Sequence, residues 1–242
     1  MSRVFLTFCF LLQGVGLWAV EVLPPGVSSV VTENQKPWFT LRTESHKTPA
    51  GLLIREATYV GEQGVVLSKE TLQLDNESQW TSYLWEELQT EERIRIDVLC
   101  HQLQFNFDTK RMGKGTKTLK IDQEEQKALV LPPLLLDYAL QNWTQLMKQG
   151  RLELVLIVPE RQDTFRFHFT RESPQKEGTE TLVLEPNSFF VSLVVDPIKF
   201  VFSVKQGIEK ADPRLMAILG LKPPIKYLRQ GELVDKKTDI QF

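Results

Sequence analysis

The chain has 242 residues, and its 29 basic residues nearly balance its 31 acidic ones, a formal net charge of −2. That balance, with no long basic block, argues against the electrostatic footprint of a nucleic-acid binder. Two cysteines, Cys9 and Cys100, exclude a disulfide-stapled fold, so stability must come from a core.

The N-terminus reads as a secretory signal. Arg3 supplies a positive start, and Val4 to Leu12 is an almost unbroken apolar run. Gly14, Gly16 and Ala19 then supply small residues. The apolar stretch is short of the roughly 20 residues a permanent span needs. We therefore expect residues 1–19 to be removed, with a periplasmic or secreted product and no integral span in the processed chain. Cys9 leaves with the signal. Cys100 continues the apolar parity of Ile94, Ile96 and Val98, and is expected to be buried.

Residues 20–36, which include Pro24-Pro25-Gly26, read as an irregular lead-in. From residue 37 to 242 we expect a single β-rich domain. Phe39 and Leu41 alternate with Thr40 and Arg42. Runs at 53–60 and 65–74 flank the turn Gly61–Gly64 and predict a hairpin. At 80–88, Trp80, Ser82 and Leu84 are expected on one face, with Tyr83 and Trp85 on the other. At 93–100 the isoleucines alternate with Arg93, Arg95 and Asp97, giving a strand with one wet face. Leu103, Phe105 and Phe107 repeat that pattern. Residues 110–117, KRMGKGTK, predict a basic Gly-rich loop before a short strand at 119–121.

The period then changes. Leu135, Tyr138, Ala139, Trp143, Leu146 and Met147 recur at spacings of three and four, which predicts one amphipathic helix over about 133–149. Pro133 suits its first turn and Gly150 the position after its end. The strand at 151–158 has apolar residues on both parities, so both faces should be covered. Further strands are expected at 165–169, 180–185, 189–195 and 198–204. Residues 212–220 fit a helix or a strand, and 237–242 a closing strand. The fold class is therefore mainly β: a curved antiparallel sheet or half-barrel packed around one helix.

Residues 132–169, PPLLLDYALQNWTQLMKQGRLELVLIVPERQDTFRFHF, resemble a segment of uncharacterised exported bacterial β-rich proteins. The matching positions are Asp137, Trp143, Gly150, Val158, Pro159, Arg161, Phe165 and Phe167. The resemblance implies a strand rather than a helix at 214–219 and carries no activity. A looser fold-level likeness is to periplasmic lipoprotein carriers, which are incomplete barrels with helices in an apolar concavity.

Catalytic motifs are missing from the sequence. There is no G-x-S-x-G elbow, no H-E-x-x-H and no C-x-x-C. His46, His101 and His168 read as ordinary surface or satisfied residues, and no cofactor or metal is expected. Arg161, Asp163 and Arg166 have two readings. They could grip an anionic headgroup or a partner's carboxylate. They could instead pair with Asp137, or with each other, and fix the hairpin. Together with Asp137 and Trp143 they form the candidate ligand-binding set. The expected function is a non-enzymatic exported envelope protein that binds a hydrophobic or amphiphilic ligand, such as a lipid, or an envelope partner. The alternatives are an exported hydrolase using dispersed acids, or an outer-membrane barrel.

Overall fold

The computed structural model describes residues 26–31, 37–61, 64–77, 79–173, 178–192, 197–204, 213–221 and 238–241. The expected signal peptide at 1–19 lies outside them.

Among the described residues, fifteen strands form one sheet. In chain order they are β1 (Gly26–Val31), β2 (Pro37–Lys47), β3 (Leu53–Val60), β4 (Val66–Leu74) and β5 (Trp80–Glu87). Next come β6 (Glu92–Leu99), β7 (Gln102–Thr109), β8 (Gly113–Lys120), β9 (Leu129–Val130) and β10 (Arg151–Val158). The last are β11 (Asp163–Glu172), β12 (Thr179–Pro186), β13 (Ile198–Val204), β14 (Pro213–Leu221) and β15 (Thr238–Gln241). Among the described residues there are also four short α-helices, α1 (Gln123–Lys127), α2 (Leu135–Gln141), α3 (Trp143–Gln149) and α4 (Phe189–Ser192), and 3-10 turns at Pro132–Leu134 and Pro159–Arg161.

The sheet is two meanders joined at their far ends. Strands β1 to β8 follow one another, β9 to β15 follow one another, and β15 pairs antiparallel with β1 in the middle. Among the described residues, only β9 and β10 run parallel. The outermost strands, β8 and β9, are not paired to each other, so the sheet curves without closing into a barrel. Side chains bridge the gap instead: Gln162 contacts Met112, and Lys117 lies 3.9 Å from Asp163.

Alternation drives the strands. In β6, Ile94 and Ile96 are buried while Arg93 and Arg95 are exposed, the period-two pattern of a half-wet strand. In β10, Leu152, Leu154 and Leu156 join one apolar cluster, and Ile157 joins the other. That strand is covered on both faces, as its sequence predicts. The first cluster lies between α2–α3 and strands β2 to β4 and β9 to β14, with Trp143 edge-on to Phe202 at 5.0 Å. The second lies under β4 to β7 around Phe105 and Leu103.

Several expectations are corrected. The lead-in contains a strand, β1, whose partners β2 and β15 supply the pairing that a short Val-Ser-Ser-Val run cannot signal alone. The basic loop is only a tight turn: Gly113, at φ +73°, ends it, and the rest is strand β8. A register shift at Gln73/Leu74 pairs Leu74 with Trp80 and Gln73 with Ser82, leaving Thr81 as the extra residue. Such a bulge rotates Trp80 onto the side of Tyr83 and Trp85, and all three pack in the second cluster. Residues 189–192 are helical, because Ser192 N–H bonds back to the Ser188 carbonyl at 3.0 Å. Cys100 is exposed. The chain reverses there, with Cys100 at φ +52°, so the parity of β6 stops one residue short of it.

The helix is split. Asn142 donates its side-chain amide to the Tyr138 carbonyl at 2.9 Å and adopts φ −100°, ψ 16°. This local bond shares the carbonyl with the Asn142 N–H, and the helix is interrupted there. Gly150 closes α3 at φ +72°, donating to the Leu146 carbonyl at 2.8 Å. A Cβ there would meet nothing within 4 Å, so substitution carries only the backbone cost. Gly150→Ala is expected to lower stability by about 1 kcal/mol, read as a lower urea midpoint with unchanged slope.

Candidate functional site

The two apolar clusters meet on the inner face of β3 and β4, and polar groups stand along that seam. On β3, Arg55, Ala57 and Tyr59 share a parity, and both Ala57 and Tyr59 belong to the first cluster. Arg55 is an ionised group on a face it shares with the apolar clusters and with the buried polar residues Ser68 and Glu70. Its Nη1 donates to Asp137 Oδ2 at 2.7 Å, across from β3 to α2. Side-chain exposure is 21% for Arg55 and 8% for Asp137. The other carboxylate oxygen, Oδ1, is buried with no hydrogen-bond partner. Burial therefore raises the Asp137 pKa to about 6, with the Arg55 charge and hydrogen bond working against it.

On β4, Glu70 is buried between two phenols. Tyr59 and Tyr83 each donate to one of its oxygens at 2.5 Å. Burial raises the Glu70 pKa, the two hydrogen bonds pull it back, and the charge of Glu160 pushes it up again. Both tyrosines are held well above their ordinary pKa, mainly by burial and then by the Glu70 charge. Ser68 Oγ, on the same parity of β4 as Glu70, is buried without a hydrogen-bond partner.

The five residues singled out in the sequence separate into two groups. Asp137 and Trp143 enter the core on α2 and α3, where Trp143 Nε1 is also buried without a hydrogen-bond partner. Arg161, Asp163 and Arg166 stay at the β10–β11 turn. Arg161 is exposed. Asp163 faces Lys117, and Arg166 donates to Glu125 of α1 at 3.0 Å. None of these residues pairs with Asp137, whose ion-pair partner is Arg55. His168 is buried, and its Nδ1 lies 2.6 Å from Asn187 Oδ1, a satisfied histidine.

Sequence reading missed Arg55 and Glu70. The signal was present: each is a charged residue on the apolar parity of its strand, Arg55 with Ala57 and Tyr59, Glu70 with Leu72 and Leu74.

The outer face of β5 to β8 carries a separate open groove of about 550 Å³. Its wall alternates in charge, with Glu86 opposite Arg93, Arg93 opposite Asp108, and Asp108 opposite Lys114. Among the described residues, no group of His, Cys, Asp and Glu is arranged to hold a metal, and no helix is long and apolar enough to cross a membrane.

No family model matches this chain, and no curated protein matches it. A solved structure with a similar course is the beta-barrel-like protein of a domain of unknown function, DUF1849, from Brucella abortus. The TM-score is 0.48 at 8% identity, over 88% of this chain and 92% of that one.

Proposed function

We propose that this chain is an exported, non-enzymatic envelope protein that holds an amphiphile on the inner face of its curved sheet. Helices α2 and α3 act as a displaceable plug over that face. One observation carries this reading: Arg55 stands on the inner face of the sheet beside the apolar clusters, and the carboxylate that neutralises it belongs to the plug. An anionic headgroup could take the place of Asp137 on the guanidinium, with its acyl chains in the space of Leu135, Ala139 and Leu146. The plug is built to leave. It is broken at Asn142, and burial opposes the charged form of the Asp137 that ties it down.

Titration with cis-parinaric acid tests the reading. The expected result is saturable binding by the wild type, tighter by roughly tenfold in Asp137→Asn, where the competing charge is gone, and weakened in Arg55→Met. The absence of saturable binding by both wild type and Asp137→Asn would sink the proposal. Export is checked separately, by N-terminal sequencing of the protein recovered from the periplasm, which should begin near Val20.

A further inference from the structure

We propose that strand β8 is a docking edge that takes up an extended acidic segment of a partner protein as an added strand. The sheet has two ends, and they are unlike. At one, β9 is only two residues long, Leu129–Val130. At the other, β8 runs for eight residues, and among the described residues it pairs with β7 alone. An edge strand presents a row of main-chain donors and acceptors, a template for another chain. Of its two glycines, Gly113 has nothing within 4 Å of where a Cβ would stand, whereas the Phe107 ring of β7 covers Gly115.

Charge decides which chain fits. Residues 110–120 hold five cations, Lys110, Arg111, Lys114, Lys117 and Lys120, and no acid, in a protein whose net charge is −2. Lys114, Lys117 and Lys120 are exposed on the strand itself. Asp108 of β7 stands opposite Lys114, and Asp163 lies 3.9 Å from Lys117 with both side chains more than two-fifths exposed. Two copies of this edge repel each other, which blocks self-pairing. Lys114 and Lys120 share one face of β8 and Lys117 lies on the other, so a strand with acids at alternate positions sets its acids beside Lys114 and Lys120, where unlike charges across neighbouring strands stabilise pairing. One set of residues thus rejects the wrong partner and selects the right one.

The test uses the whole processed chain and a fluorescein-labelled peptide of alternating Glu and Thr, as long as β8. Fluorescence polarisation reads binding, and hydrogen exchange reads the β8 amides with and without peptide. The expected result is saturable binding, slower exchange confined to β8, and an affinity loss of roughly tenfold or more in the triple variant Lys114→Glu, Lys117→Glu, Lys120→Glu. These are exposed positions, and an unchanged circular dichroism spectrum verifies that the variant folds. Binding without protection of β8, equal binding to the triple variant, or no binding would each overturn the proposal. So would a preference for vesicles of anionic phospholipid over the peptide, which would assign the basic strip to a membrane surface.

Discussion

Glu70→Ala is expected to lower the free energy of unfolding by about 4 kcal/mol, among the largest effects of any single polar substitution in the chain. The alanine leaves the hydroxyls of Tyr59 and Tyr83 buried with no acceptor, and each stranded donor costs about 1–3 kcal/mol. It also opens space on the seam between the two clusters. Glu70→Gln separates these causes, because its amide can still accept from one phenol and donate to the other, so a loss of about 1 kcal/mol is expected. Tyr83→Phe removes a donor and leaves Glu70 with its Tyr59 bond, and should fall between the two. Chemical denaturation of the four proteins measures this. Equal losses for Ala and Gln would show that the cluster does not work through its hydrogen bonds.

The second large effect is on pH dependence. Asp137 has its pKa raised from 3.8 to about 6 in the folded chain. A raised pKa means the folded state holds the proton more tightly than the unfolded state does. The stabilisation is therefore fully present below the ordinary carboxylate pKa and is lost as pH rises through about 6. Two pKa units correspond to about 3 kcal/mol. Glu70, also raised by burial, works in the same direction. Unfolding should thus become easier between pH 4 and pH 7, the reverse of the usual carboxylate trend. Asp137→Asn keeps a hydrogen-bond acceptor for Arg55 and removes the titration, so its stability should change less across that window. Parallel pH profiles for the variant and the wild type would contradict the assignment to Asp137.

That titration bears on the proposed plug. When Asp137 is ionised, the helix pair is tied to β3 by an ion pair whose burial works against it. Breaking a buried pair by deleting one partner is costly, because it leaves the other charge uncompensated; an anionic headgroup in the carboxylate's place would leave Arg55 compensated. This difference is what makes exchange with a headgroup physically reasonable, and it is why Arg55, rather than the exposed arginines of the β10–β11 turn, stands at the centre of the reading.

The strands were legible because their faces differ. Ile94 and Ile96 against Arg93 and Arg95 leave little choice, and Gly150 marks the end of α3 without ambiguity. The break at Asn142 was not legible, because a helical asparagine bends the chain only when its side chain takes a carbonyl, and sequence does not say when it will. The run from Phe189 is too short for its period to be read, and a local Ser188–Ser192 bond decides it. At the site, Asp137 stood out by its place on the helix. Its partner Arg55 lies 82 residues earlier, and only the tertiary fold brings them together. Tyr59, Glu70 and Tyr83 come from three adjacent strands, so their register had to be known before their hydroxyls and carboxylate could be seen to meet.

Native mass spectrometry of the processed chain, recovered from a bacterial periplasm without detergent, tests the plug most directly. The account predicts a population carrying extra mass that denaturation releases as an anionic lipid, larger in Asp137→Asn and missing in Arg55→Met. A bare protein mass for both the wild type and Asp137→Asn, even after incubation with anionic phospholipid, would contradict it.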